Sequence, residues 1–333
     1  MKSTLLTTTA LIAFAGASYA DGHTSVSFGG EASAEYNSET GFTTATELTA
    51  SASAQLDNGL AASASLTLSA ADNNAGEISS GSVSLSSDTA SLTFGTGMDG
   101  AAFTAVGDDY AIGAGEEGIA TGVVGTYDMG AAALTVSTSL DTPTTDDLEV
   151  GVTTTAGAFD LAFGVSGAGD FAATVAGTAG GADLNFGMSS NDEWDAGLGF
   201  TAGAVSVSAS TDENSEWTIG ADYDGGDFNA GIEYNFDESW KVSAGYAADA
   251  VAVAASLNSA EVISLGATYD MGNGLTLGGG IENAANDAYA FADYNLGGGA
   301  SAYAEYGVVA LSEVGPSERD IAEGTTVGVS FTF

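Results

Sequence analysis

The chain has 333 residues, of which 45 are acidic, three are basic, two are proline and none is cysteine. This balance excludes nucleic acid as a partner, because contacts to phosphates need clustered Lys and Arg, and it favours cations and divalent metal ions. The absence of cysteine excludes a disulfide framework, and the scarcity of proline suits a sheet in which nearly every N–H is needed.

The first 20 residues have the layout of a secretory signal peptide. Lys2 precedes a short apolar core, and small residues occupy the −3 and −1 positions of a cleavage site that ends at Ala20. We expect residues 1–20 to be removed and residues 21–333 to form one exported domain.

Apolar and polar residues alternate along most of the chain, which predicts β-strands with one apolar and one polar face. The stretch 44–56 places Leu48 and Leu56 on one face and Glu47 on the other, and the stretch 60–69 opposes leucine to serine and threonine. In a membrane barrel the polar face lines the lumen. We therefore expect these acidic side chains to face a lumen: Glu31, Glu35, Glu47 and Glu282.

Short turn sequences rich in Gly, Asp and Asn separate the strands. Several of them directly follow a tyrosine, as at Tyr127 and Tyr269. Aromatic residues at strand ends are typical of the girdles that a transmembrane barrel places at the two membrane interfaces. Counting the turns gives about 20 to 22 short strands arranged as a meander of hairpins.

The segment at about 95–118 interrupts the alternation. A loop of this length among short connections is usually functional or disordered, and its apolar residues, Phe103 and Val106 among them, favour a loop anchored against a wall. It carries five acidic residues: Asp99, Asp108, Asp109, Glu116 and Glu117.

The last strand, 325–333, alternates without a break and ends on Phe333. One of its faces is wholly apolar, which indicates a non-aqueous neighbour and therefore a membrane. A sheet closed on itself satisfies every backbone donor and acceptor inside a bilayer. We expect this strand to close the sheet by pairing with the first strand near Val26 and Phe28.

These features together resemble the general porins of alphaproteobacteria, the family of the trimeric purple-bacterial porins. The resemblance covers the whole chain, with Leu-Asp-Asn-Gly-Leu at 56–60, Ser-Leu-Thr-Phe-Gly-Thr at 91–96 before the long acidic loop, Ser-Leu-Gly-Ala-Thr-Tyr-Asp-Met-Gly at 264–272, and the terminal phenylalanine. It implies an all-β, transmembrane antiparallel β-barrel of about 16 strands in the Gram-negative outer membrane.

The resemblance also implies roles for particular residues. The loop at 95–118 would fold into the barrel, with its five carboxylates near the constriction, and Phe331 and Phe333 would be the signal that the barrel-assembly machinery reads. A homotrimer embedded in outer-membrane lipid and lipopolysaccharide is implied in the same way. Family members set a cluster of basic residues across the pore from the loop, which Lys241 and Arg319 alone cannot form.

The function that follows is a water-filled channel for passive diffusion of small hydrophilic solutes and ions. Carboxylates that line a pore favour cations, so we expect cation selectivity. We expect no cofactor. Acidic tips such as 141–147 and 192–193 offer oxygen ligands to Ca²⁺ or Mg²⁺, although none has the spacing of a defined metal-binding loop.

Two other functions stay open at this point. An enzymatic barrel would need a nucleophile and a base, but the only histidine, His23, lies three residues after the expected cleavage site, where a strand is just starting, and no Gly-x-Ser-x-Gly motif occurs, so we expect no enzyme. A secreted or surface-attached acidic β-rich adhesin would explain the small residues and the charge. It would not explain aromatic residues placed before turns and at the last position.

Overall fold

A computed structural model describes residues 24–71, 76–106, 119–141, 144–282 and 287–333. Within these ranges, 22 antiparallel strands form one sheet, in which each strand pairs with its neighbours along the chain and the first strand pairs with the last. The expected closed barrel is confirmed. Its strands are β1 (Thr24–Asn37), β2 (Gly41–Gln55), β3 (Ala61–Ala71), β4 (Glu77–Ser86), β5 (Ala90–Met98), β6 (Ile119–Asp128), β7 (Ala132–Ser139), β8 (Glu149–Ala156), β9 (Phe159–Ser166), β10 (Phe171–Ala179), β11 (Ala182–Ser189), β12 (Trp194–Ala202), β13 (Val205–Asp212), β14 (Trp217–Asp224), β15 (Phe228–Asn235), β16 (Trp240–Ala248), β17 (Val251–Asn258), β18 (Ile263–Asp270), β19 (Leu275–Glu282), β20 (Asp287–Gly297), β21 (Ala300–Gly307) and β24 (Gly324–Thr332).

Among the described residues, two connections between barrel strands contain helices or strands. The connection after β5 begins with the short helix α1 (Ala101–Val106). The connection between β21 and β24 contains a two-stranded sheet, β22 (Leu311–Val314) with β23 (Arg319–Ile321), joined by a 3₁₀ turn at Gly315–Ser317. No helix in the described part of the chain is long and apolar enough to cross a membrane.

The barrel closes through β1 and β24. Their register runs from Glu31 opposite Thr332 to Asn37 opposite Thr326, and Gly30 exchanges two backbone hydrogen bonds of 2.9 Å with Phe333. The expected partners of the last strand near Val26 and Phe28 are therefore wrong by a few residues. The first six residues of β1 reach past the paired part of β24 and pair with β2 alone, because β1 is longer than its closing partner.

The alternation of the sequence becomes the two faces of the wall. Directly paired residues of antiparallel strands lie on the same face, so the register assigns every strand residue to a side. The large apolar side chains of one side are exposed, as for Leu198, Ile232 and Leu265, while serine, threonine and carboxylate residues occupy the other. An exposed apolar belt around a closed sheet is the surface that a barrel presents to lipid.

The turns that follow a tyrosine share one geometry. In each, an Asp or Asn oxygen accepts the N–H of a glycine two residues later, at 2.7–2.9 Å, and that glycine has positive φ, which costs no steric strain. The preceding tyrosine points outward and is about half exposed. The four tyrosines, which form a girdle at the short-turn end, are Tyr127, Tyr223, Tyr269 and Tyr294.

The opposite end of the barrel carries the longer connections and its own aromatic girdle. All three tryptophans, Trp194, Trp217 and Trp240, begin strands at this end. Short turns at the periplasmic end and longer loops at the outer end are the rule for bacterial outer-membrane barrels. The positions of the short and long connections therefore place the start of β1 and the end of β24 on the periplasmic side.

The strand number agrees with the turn count of about 20 to 22 and differs from the roughly 16 that the resemblance implies. The physical reason is strand length. From β7 to β19 each strand has eight or nine residues and most connections have only two to four residues, so the same chain length supplies more strands.

Candidate functional site: the barrel lumen

The first arc of the inner wall is lined by hydroxyl groups. Ser25 bonds Ser53 at 2.7 Å, and similar pairs join each strand to the next from β1 to β6. Cross-strand pairs of this kind satisfy the hydroxyls without reducing the polarity of the wall. The further pairs are Thr49 with Thr67, Ser65 with Ser82, Thr93 with Ser84, and Ser91 with Thr126.

The four acidic residues expected in the lumen all lie on the inward face. Glu31 and Glu47 are exposed and stand directly opposite each other on β1 and β2, where they line an open pocket of about 460 Å³. Glu35 accepts a hydrogen bond from the hydroxyl of Tyr303 on β21. Glu282 lies beside Ser264 of β18. Two like charges opposite each other repel, and they make this part of the wall attractive to cations.

Further carboxylates face inward around the rest of the ring, chiefly from β8 to β21. Among them are Glu77, Glu149, Asp160, Asp183, Asp195, Asp212, Asp222, Glu233, Asp287, Asp293 and Glu305. Both basic residues of the described chain are on this side as well, Lys241 opposite Glu233 and Arg319 against β20 and β21.

The rims add charge outside the spanning strands. In the turn after β15, the hydroxyl and the backbone N–H of Ser239 both donate to the carboxylate of Asp237, the latter at 2.9 Å. These hydrogen bonds lower the pKa of Asp237, because they favour its charged form. The mouth of the barrel thus keeps this negative charge at mildly acidic pH.

Helix α1 lies against the inner wall of β7 to β10. The N–H of Ala101 donates to the Ser137 hydroxyl at 2.7 Å, and the N–H of Ala102 donates to Glu149 Oε2 at 3.0 Å. Glu149 and Ser137 are each 2 % exposed, so the two contacts are shielded from water. Ala102 and Val106 pack with Ala172 of β10, so Val106 contacts the wall.

The expected constriction loop is therefore seen only in its first part. Gly95 to Met98 still belong to β5, and the departure from the strand begins at Asp99, whose side chain is exposed. The other four expected loop carboxylates, at 108, 109, 116 and 117, lie outside the described residues, as do the signal peptide and His23.

A second segment, which the sequence pattern did not predict, also folds inward. Residues 308–323, here called the strap, connect β21 to β24 and cover the inner wall of β17 to β21. Val314 and Ile321 of the strap are each 2 % exposed and pack with Tyr289 and Phe291, two aromatic residues of β20 that point into the lumen. These aromatic side chains are exceptions on an otherwise polar lumen face. They can lie there because the strap covers them.

Arg319 fixes the strap to the wall. Its guanidinium pairs with Asp293 at 2.7 Å and with Glu305 at 2.9 Å, and it stacks over the ring of Phe291 at 4.7 Å. A planar guanidinium suits two carboxylates and an aromatic face at once. Only 23 % of its side chain is exposed, so water screens these contacts weakly.

Two signals in the sequence pointed to the strap. Alternation stops after Gly307 and returns at Gly324, and the gap holds one of the two prolines, Pro316. The pattern on β20 was the other, because Tyr289 and Phe291 share the face of Asp287 and Asp293. For metals, the described residues contain no group of three or more His, Asp or Glu side chains placed to hold an ion.

A closed ring of 22 strands with an apolar outer belt, two aromatic girdles and a polar, acidic interior defines a transmembrane β-barrel pore. Comparison of the sequence with family models gives a match to the Gram-negative porin family over residues 7–312. The chain belongs to this family, and its place in the outer membrane of a Gram-negative cell follows. The resemblance stated from the sequence is thereby confirmed.

The structural comparisons also gave porins. A variant of the porin of Rhodopseudomonas blastica with five substitutions shares 13 % identity, with 92 % of this chain and all of that chain covered and a TM-score of 0.33. A variant of the same porin with three substitutions shares 14 % identity over the same coverage, with a TM-score of 0.31. Overlap this low carries no further argument about the site. A search of curated proteins gave no match.

Proposed function

We propose that this porin conducts small hydrophilic solutes and ions by passive diffusion and that it prefers cations. The observation that carries the proposal is the charge of the inner wall. Its carboxylates outnumber its basic residues, and the arginine is already paired with two of them. A pore lined by one sign of charge lowers the barrier for counter-ions and raises it for co-ions.

The test is the reversal potential of the purified protein in a planar bilayer under a KCl gradient. We expect a potential of the sign given by K⁺ permeation, and a potential of the opposite sign would overturn the proposal. Glu31→Gln combined with Glu47→Gln should reduce the cation preference, because it removes two facing charges. The matched control replaces both residues by Asp, which shortens the side chains and keeps the charges.

The remaining expectations about function are part of the same proposal. The pore has no enzymatic role, and no observation favours the adhesin alternative. The protein assembles as a homotrimer in lipid and lipopolysaccharide, and the assembly machinery recognises its last strand through Phe331 and Phe333. Single-channel traces that close in three equal steps would support the trimer, and single closures throughout would count against it.

Divalent cations stay a minor element of the proposal. Ca²⁺ or Mg²⁺ would associate loosely with the acidic outer tips through carboxylate oxygens and with neighbouring lipid headgroups. Such association would raise the temperature at which the barrel unfolds in lipopolysaccharide-containing vesicles. Addition of a chelator should reverse that increase.

A further inference from the structure

The strap and α1 enter the lumen from the same end of the barrel. In a meander, all odd-numbered strands run in one direction, so the connections that follow β5 and β21 both leave the end that carries the longer loops. α1 rests on β7 to β10, centred near β9, and the strap rests on β17 to β21, centred near β19. Around the ring of 22 strands, ten strands separate these centres one way and twelve the other. The two segments therefore lie on opposite walls.

The contact of the strap with its wall is closely fitted. A side chain at Gly266 of β18 would place its Cβ 2.5 Å from the Cα of Gly315, and one at Gly307 would place its Cβ 2.8 Å from Ile321 Cγ2. Glycine at these positions lets the strap approach the backbone of the wall. At its far end, Asn37 of β1 donates to the carbonyl of Glu323 at 2.9 Å. The strap is thus held along its length.

The strap also has polar residues that are exposed. Ser312, Ser317, Glu318 and Asp320 are exposed, whereas Val314 and Ile321 are buried against the barrel. We propose that the strap is a second constriction element, which narrows the lumen from the wall opposite α1 and presents its acidic edge to the permeating ion. Arg319 is the positioning residue that holds it there. This inference rests on the proposed channel function.

Arg319 has two roles, which can be measured separately. Its single positive charge offsets one of the two negative charges of Asp293 and Glu305, and its contacts fix the strap. Lys241, the other basic residue of the described wall, lies opposite Glu233 and lines an open pocket with Gly315, Pro316 and Glu318 of the strap, but the ion pairs that hold the strap are those of Arg319. Loss of either positive charge should increase cation preference, but only loss of Arg319 should release the strap.

The first experiment compares Arg319→Gln with Lys241→Gln in single-channel recordings. We expect both variants to shift the reversal potential toward stronger cation preference. Arg319→Gln alone should also change the open-state conductance and increase the current noise. Arg319→Lys, which keeps the positive charge, should have lower current noise than Arg319→Gln. Equal conductance and noise in Arg319→Gln and Lys241→Gln would overturn the inference.

The second experiment keeps Arg319 and its two ion pairs intact. The chain has no cysteine, so Ser317→Cys introduces a single thiol on the exposed edge of the strap. Attachment of a cationic methanethiosulfonate reagent should reduce the conductance and weaken cation preference. The control thiol is Ser87→Cys in the turn after β4, where the same reagent should leave the current nearly unchanged. An unblocked Ser317→Cys channel would overturn the inference.

A third variant tests the fit of the strap without altering charge. Gly266→Val should displace the 3₁₀ turn and alter conductance, whereas Gly199→Val on β12 has room for its side chain, since the nearest neighbour of a Cβ there is 3.6 Å away. Equal conductance in the two variants would count against the strap. A wild-type barrel without conductance would overturn the channel and the strap together, while a conducting barrel insensitive to these changes would overturn the strap alone.

Discussion

Tyr303 and Glu35 join strands that are not neighbours. Tyr303 lies on β21 and Glu35 on β1, with Gly328 of β24 between them. Because the intervening residue is glycine, the tyrosine ring can lie across β24, and its hydroxyl reaches the carboxylate. One side-chain hydrogen bond therefore reinforces the seam at which the barrel closes.

Tyr303→Phe should weaken that seam. The change removes one hydrogen bond to a charged group and leaves the ring in place, so we expect a loss of about 1 kcal/mol, limited because water can still reach Glu35. The measurement is the temperature at which the folded band on a detergent gel converts to the unfolded band. Tyr306→Phe is the control, since Tyr306 is on the same strand and points outward. An equal fall in both variants would argue against the seam contact.

Helix α1 can lie close to the wall because the wall has glycine residues at the positions that face the helix. Gly151 and Gly164 of β8 and β9 face α1, and a Cβ at Gly164 would lie 2.8 Å from the carbonyl oxygen of Ala102. Together with Ala172, these small residues form a shallow seat. The seat lets two N–H groups at the start of α1 reach Ser137 and Glu149.

Gly164→Val should lift α1 from this seat. A branched side chain there would overlap the helix backbone, so the two hydrogen bonds at its start would break, at a cost of about 1–3 kcal/mol for each buried group left unpaired. Hydrogen exchange of the peptide that contains 100–106, measured in detergent micelles, should become faster. Gly199→Val should leave it unchanged. Unaltered exchange in both variants would show that the seat does not hold α1.

The sequence predicts the strands and turns of the barrel, but it does not predict the positions of the strap and α1. Period-2 alternation predicted the strands and the side to which Glu31, Glu47 and Phe331 point, because that pattern is local. Turn residues predicted the strand number for the same reason. The strap depends on contacts between Arg319 and residues on two earlier strands, and α1 depends on glycines some 50 to 60 residues further on. No local pattern encodes such pairings.

On the scale of the whole molecule, the wall is divided by the two inward segments. One arc, from β1 to β6, combines paired hydroxyls with Glu31, Glu35, Glu47 and Glu77, and the other, from β11 to β15, carries Asp183, Asp195, Asp222 and Glu233. The second arc lies between α1 and the strap in chain order. Cation preference should therefore arise from a field summed over many strands rather than from a single binding site.

A summed field makes a definite prediction about salt. The Debye length falls from about 10 Å at 0.1 M to about 3 Å at 1 M, so charges on the wall lose their influence over the centre of the lumen as salt rises. Reversal potentials measured at a fixed concentration ratio should show cation preference that weakens steadily from dilute to concentrated KCl. Asp222→Asn combined with Glu233→Gln should lower the preference clearly in dilute salt and little in concentrated salt, because screening already removes their contribution there. If the preference were the same at both concentrations, selectivity would have to come from direct contact of the ion with a narrow site, and the distributed field would be excluded.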